Sequence, residues 1–214
     1  MNSKNRIVGI IDYGTGNIAS LYKAIKMLGN TPILVSDVET LAKTNCIILP
    51  GVGHYSEAIK SLKKNLMFDA LKDASKSGIL VLGICLGFQI LTNFSEESFD
   101  EGLGILPFDT VRIRPKDSYL YRVPHMGWNS IKEESQKTTL LKNINADKRL
   151  FFFSNAYGVK VNKNKSIKKA FYKHEVDWIA IVENENVFGV QFHPEKSRDQ
   201  GLKLLNNFLS KTLK

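Results

Sequence analysis

The run Gly78-Ile79-Leu80-Val81-Leu82-Gly83-Ile84-Cys85-Leu86-Gly87-Phe88-Gln89-Ile90-Leu91 constrains the fold more than any other stretch of the chain. An unbroken apolar run leads to a cysteine with glycines at i−2 and i+2, and a helix-like run follows. That order predicts a strand, a sharp turn and a helix, because flanking glycines let the backbone turn tightly and push one side chain out at the apex. The apex side chain is a thiol. The first N–H groups and the dipole of the following helix favour its thiolate, the form of cysteine that attacks carbon. The alternative is a structural cysteine on a core strand, and the rest of the chain decides between the two.

The first half repeats the strand–helix alternation. Apolar strands are predicted at Ile7 to Ile11, Ile33 to Val35, Ile47 to Leu49 and Ile79 to Leu82. Helices are predicted over about Ile18 to Leu28 and Ser56 to Ala74, the second with Ala58, Ile59, Leu62, Leu66, Ala70 and Leu71 on one face. Unalternating strands between helices imply an α/β fold with a parallel sheet covered on both faces. From Gly104 to about Val190 the pattern becomes short, alternating and aromatic. It predicts antiparallel strands at Thr110 to Ile113, Trp128 to Ile131, Leu150 to Phe153, Lys168 to Phe171, Ile179 to Val182 and Val187 to Gln191. A C-terminal amphipathic helix follows, with Leu202, Leu205, Phe208 and Leu209 facing inward. No linker or repeat divides the 214 residues, so residues 1–214 are expected to form one domain with a mixed sheet.

Cys46 and Cys85 are far apart and lack zinc-type spacing, so no disulfide framework or metal site is expected. Cys46 sits in an apolar run and is expected in the core. A free nucleophilic thiol suits a reducing compartment. The N-terminal apolar run is interrupted by Asp12, too soon for a signal peptide or a membrane span, so the expectation is a cytoplasmic protein. The net charge of +9 invites a nucleic-acid reading. The densest basic run, from Lys160 through Lys163, Lys165, Lys168 and Lys169 to Lys173, carries no recognition motif. It is expected to be a solvated face, with docking of an acidic partner as the alternative.

A cysteine nucleophile needs a base to move its proton and an orienter for that base. His193-Pro194-Glu195 follows the strand-like Phe188-Gly189-Val190-Gln191-Phe192. Residues at i and i+2 of an extended chain point to the same side, so Glu195 can reach the His193 imidazole. His54, His125 and His174 have no carboxylate in step with them. Acyl transfer also needs donors for an oxyanion. The N–H of Leu86 is one candidate, and Pro50-Gly51-Val52-Gly53 is the other, since its glycines allow a peptide N–H to point inward. By itself that turn is also an ordinary strand-to-helix connection.

With Gly83-Ile84-Cys85-Leu86-Gly87-Phe88-Gln89 and His193-Pro194-Glu195 in place, the chain resembles the class I (triad) glutamine amidotransferases. More narrowly it is similar to the glutaminase subunits of imidazole glycerol phosphate synthase. The narrower likeness rests on Ile11-Asp12-Tyr13-Gly14-Thr15-Gly16-Asn17, Pro50-Gly51-Val52-Gly53, Gly102-Leu103-Gly104, Val123-Pro124-His125-Met126-Gly127-Trp128-Asn129 and Phe192-His193-Pro194-Glu195-Lys196-Ser197. The resemblance implies a flavodoxin-like three-layer sandwich with a central, mostly parallel sheet and an antiparallel extension. It implies Cys85, His193 and Glu195 as nucleophile, proton shuttle and orienter, and Val52, Gly53 and Leu86 around the oxyanion. Gly51, Gln89, Glu97 and Tyr157 would contact glutamine. Asn17, His125 and Lys196 would lie towards a (β/α)₈-barrel cyclase subunit that receives the ammonia for histidine biosynthesis. No cofactor, nucleic acid or membrane is implied.

The chain departs from the family's usual Phe-Tyr-Phe-Val-His-Ser-Tyr segment, reading Phe151-Phe152-Phe153-Ser154-Asn155-Ala156-Tyr157. The replaced positions lie beside the expected glutamine pocket. The departure keeps open a glutaminase subunit serving sugar amidation in surface-polysaccharide pathways. A peptidase or deglycase with the same elbow would not need His-Pro-Glu, and a non-catalytic binding subunit has no need of Cys85, His193 and Glu195 together.

Overall fold

A computed structural model of the chain describes residues 5–14, 18–134, 136–161 and 166–211. β1 (Ile7–Ile11), β2 (Thr31–Val35), β3 (Cys46–Leu49) and β4 (Leu80–Ile84) run parallel in the order β2-β1-β3-β4. Every residue of β3 and β4 is buried, as strands covered on both faces require. They are connected by α1 (Ala19–Met27), α2 (Val38–Leu41), α3 (Tyr55–Lys64) and α4 (Met67–Lys76), and β4 runs into α5 (Leu86–Leu91).

The long helix expected between Ser56 and Ala74 is two helices. Leu66 between them takes a left-handed conformation, φ 57°, and its side chain is 76% exposed. The left-handed residue rotates the following turn, so Met67 rather than Leu66 continues the buried stripe with Leu62 and Leu71. Apolar spacing alone cannot register such a shift.

The second half contributes β5 (Phe94–Ser95), β6 (Asp100–Glu101), β7 (Asp109–Arg112), β8 (His125–Glu133), β9 (Leu150–Asn155), β10 (Tyr157–Val159), β11 (Lys168–His174), β12 (Val176–Asn184) and β13 (Val187–Val190), and then α6 (Arg198–Leu209). The sheet continues from β4 as β13-β12-β10-β7-β5-β6, while β11 links β12 to β8, and β8 pairs with β9. One strand expected to be antiparallel is so on one edge only. β13 pairs antiparallel with β12 but parallel with β4, placing Val190 opposite Ile84. That pairing sets the end of β13 beside the end of β4, and the residues that follow each strand become neighbours.

Two apolar clusters cover the two faces. One joins Leu21 and Ile25 of α1 and Leu204, Leu205 and Phe208 of α6 to the aromatic side chains of β9 and β11. The other joins α3, α4 and α5 through Tyr55, Ile59, Leu71, Phe88 and Ile90. Each fully buried Ile, Leu or Phe contributes about 1.5–3 kcal/mol, so these layers hold the sheet flat against its helices. Leu202 only flanks the core of α6, and Leu204 takes the fully buried place.

The lysine-rich stretch is only in part the solvated face expected of it. Lys169 is 2% exposed, 3.8 Å from Glu134, and Lys168 lies 3.2 Å from buried Glu183, which also receives Lys211. Lys160 and Lys173 are exposed; Lys163 and Lys165 lie outside the described residues. Among the described residues no helix is long and apolar enough to cross a membrane.

Candidate active site

The elbow is built by steric necessity. A Cβ on Gly83 would meet the backbone of Phe88 at 2.6 Å, and one on Gly87 would press into the Leu49 carbonyl, so both positions need a bare backbone. Between them Cys85 adopts φ 47°, ψ −103°, a sparsely populated conformation that costs about 1–3 kcal/mol and is held by surrounding structure. The Cys85 N–H donates to Val190 O at 2.7 Å, and its carbonyl accepts the first turn of α5 from Gln89 N at 3.1 Å. The backbone strain sits at the residue that carries the thiol.

His193 arrives from β13, one strand away. Its Nδ1 donates to Glu195 Oε1 at 2.8 Å, leaving Nε2 for the sulfur. Burial alone would push this imidazole down. The charge of Cys85, a hydrogen bond to it and the Glu195 carboxylate outweigh burial and raise it to about 10. His193 and Cys85 face each other in a nearly dry site, 3% and 6% exposed. Gly51 closes the third side. A Cβ there would lie 2.8 Å from Cys85 Cβ and 3.0 Å from His193 Cε1, so the turn after β3 packs directly on the pair. Val52 and Gly53 continue that turn, Gly53 with φ 108°, and Leu86 stands at the first position of α5.

Gln89 Nε2 donates to Tyr157 O at 3.0 Å and to Gln191 Oε1 at 3.3 Å. Glu97 is half-buried 3.6 Å from His54 Nε2. Burial pushes its carboxyl above the usual carboxylate range, opposed by His54 and by the N–H of Tyr55 at the start of α3. The Tyr157 side chain lies under Arg112, which donates to its hydroxyl at 3.2 Å. Asn155, where the sequence departs from its likeness, is buried. Its Nδ2 donates to Tyr157 O at 2.9 Å and Tyr172 OH at 3.2 Å, while its Oδ1 is buried without a partner.

The residues expected to face a partner are dispersed. Lys196 is exposed one turn after His193, and Asn17 lies outside the described residues. His125 is half-buried in an aromatic group, stacked on Tyr172 at 5.5 Å and 4.4 Å from the His174 ring. Exposed apolar side chains on that flank are instead Met126 and Trp128, with Arg198 over the Trp128 ring. A cavity of about 480 Å³ behind the His193–Ser197 turn is lined by Trp128, Leu150, Arg198 and Gln200, not by Cys85. Among the described residues no cluster of three His, Cys, Asp or Glu could hold a metal ion.

Sequence reasoning passed over one residue at the centre of this site. Gln191 is fully buried with Nε2 3.6 Å from Cys85 Sγ. The alternation that sets His193 and Glu195 on one side extends back to residue 191 and could have revealed it.

Residues 9–212 match the family described as glutamine amidotransferase class-I. The chain is 38% identical to imidazole glycerol phosphate synthase subunit HisH 2 of Methanococcus maripaludis, over 95% of this chain and 98% of the relative. It is 39% identical to subunit HisH of the same synthase from Geobacillus thermodenitrificans, over 95% of each. Among solved structures, PurLQS from Thermotoga maritima superposes with a TM-score of 0.75 at 22% identity, covering 96% of this chain and 98% of that one. This last likeness is one of fold.

Proposed function

The chain belongs to the class-I glutamine amidotransferase family, and on that premise we propose that it is the glutaminase subunit of imidazole glycerol phosphate synthase. It hydrolyses L-glutamine to glutamate and ammonia, and passes the ammonia to a (β/α)₈-barrel cyclase subunit in a cytoplasmic heterodimer. The observation that carries the chemistry is the pair formed by Cys85 at a strained elbow and His193, whose Nδ1 is 2.8 Å from Glu195. The pathway rests on full-length likeness to relatives named as subunits of that synthase, and sugar amidation finds no support among them.

Cys85 Sγ attacks the side-chain carboxamide carbon and a C–S bond forms. The carbonyl electron pair moves onto oxygen, which the N–H of Leu86 and an N–H of the Val52-Gly53 turn receive. His193 gives its proton to the departing nitrogen; the C–N bond breaks and ammonia leaves a thioester behind. Water then attacks that carbonyl, His193 takes its proton, and glutamate departs as the thiolate returns. Glu195 keeps the proton on Nδ1 throughout, so that Nε2 faces the reaction. Gly51, Gln89, Glu97 and Tyr157 form the glutamine site, where the Glu97 carboxylate is suited to the α-ammonium group. Lys196, exposed one turn after His193, lies towards the cyclase.

The test is glutamine hydrolysis by the chain alone and with the cyclase subunit from the same cell plus its phosphoribosyl nucleotide substrate. Imidazole product formed in step with glutamate is expected, with Cys85→Ser losing at least about a thousandfold in rate. Hydrolysis indifferent to that partner would overturn the pathway, and a folded, fully active Cys85→Ser variant the chemistry.

A further inference from the structure

The hydrogen bonds around Gln191 have only one consistent direction. The Tyr157 carbonyl can only accept, so the Gln89 atom 3.0 Å from it is the amide nitrogen. The second hydrogen on that nitrogen goes to Gln191, 3.3 Å away, which must present its oxygen. The Gln191 nitrogen is thereby turned towards Cys85 Sγ at 3.6 Å. The backbone carrying it is tied down as well, since Gln191 N–H donates to Ala180 O at 2.9 Å. Asn155 supplies a second donor to the same Tyr157 carbonyl, so the anchor of the relay is doubly held.

Gln191 has no exposed surface. A buried primary amide is costly unless its polar atoms are used, and this one spends an N–H on the sulfur. A donor aimed at sulfur is worth more to a thiolate than to a thiol or a thioester, because a charged acceptor strengthens the bond. Resting on the glutaminase reading of the site, we propose that Gln191 is a further catalytic residue, an amide that holds the Cys85 thiolate in its attacking position and is itself aimed by Gln89. The chain Tyr157 O–Gln89–Gln191–Cys85 links the wall of the glutamine site to the nucleophile, so the residue that meets substrate also fixes the donor on the sulfur.

The titratable groups facing the sulfur are His193 after β13 and Tyr172 from β11, and a change at position 191 leaves both in place. Gln191→Leu removes the donor. Gln191→Glu keeps the acceptor for Gln89 and turns an anionic oxygen to the sulfur. The experiment is iodoacetamide alkylation of Cys85 across pH in the full chain, without glutamine or partner, followed by glutamine kinetics with the cyclase subunit. At pH 7 the leucine variant is expected to alkylate about tenfold more slowly and the glutamate variant more slowly still. Both should equal or exceed the parent at high pH, where a less hydrogen-bonded thiolate is the stronger nucleophile. With partner, kcat for glutamine should fall about tenfold and KM change less than about twofold. Parent-like alkylation in either folded variant, or a slowing equal at every pH, overturns the assignment; if the leucine variant does not fold, the near-isosteric glutamate variant decides alone. Because alkylation needs neither glutamine nor partner, a parent that hydrolyses no glutamine would defeat the functional reading while leaving this result to stand.

Discussion

Two buried histidine sites in this molecule are driven in opposite directions. At the elbow, His193 shares its burial with Glu195 and Cys85, and the imidazole is raised to about 10. At the start of β8, His125 shares its burial with Tyr172, Phe153 and the His174 ring. At His125 burial is unopposed and the His174 imidazole adds repulsion, so it falls to about 4; His174 is lowered by its own burial, against the Arg122 carbonyl and the Glu175 charge. Tautomers follow the same logic. Asn129 Nδ2 donates to Lys173 O at 2.9 Å, so at 3.2 Å it also donates to His125 Nε2, which is therefore the unprotonated nitrogen. Burial sets the stakes for an imidazole, and its neighbours decide the sign.

The comparison breaks most readily at His193. His193→Ala removes the imidazole proposed as proton shuttle and should lower glutamine turnover by about a thousandfold. His125→Phe should leave turnover within about threefold, and an equal loss in both would erase the distinction. Next in size, Gly51→Ala puts a methyl group 2.7 Å from the Ile84 carbonyl and against both Cys85 and His193. It should cost about a hundredfold in kcat in a chain that still folds by near-UV circular dichroism, and normal kinetics would mean the β3 turn stands clear of the pair.

The pH response separates the two regions with opposite signs. A depressed imidazole contributes stability above its unfolded value near 6.5 that is lost as pH falls through about 4. The raised His193 contributes stability below about 6.5 that is lost as pH climbs through about 10. Thermal unfolding of His125→Phe should therefore lose less than the parent between pH 7 and pH 4.5, by about 2–4 °C. The same steepness in both would remove His125 from the acid limb. The smallest effect belongs to the end of β9, between the two regions. Asn155→His, at a position where Asn155 Oδ1 has no partner, should raise kcat/KM for glutamine by about threefold. No change would make the departure neutral.

Several features of the site were legible because they are local. Gly83-x-Cys85-x-Gly87 after an apolar strand specifies an elbow by sterics within a few residues, and His193 with Glu195 needs only the alternation of an extended chain. The unalternating strands of the first half announce a sheet covered on both faces. What failed was non-local or a matter of register. Leu66 reads as a core residue by spacing until a left-handed turn moves it to solvent. Lys169 reads as solvated because its partner Glu134 lies on another segment.

By itself, then, the chain determined its alternation of strands and helices, the elbow at Cys85 and the pairing of His193 with Glu195, since each follows from backbone sterics over a few residues. Tertiary structure alone decided that β13 lies parallel to β4, that Gly51 packs against the sulfur and the imidazole, and that Gln191 turns its amide to Cys85. Those outcomes depend on which distant strands share an edge, and that is settled by burying two apolar faces of one sheet at once.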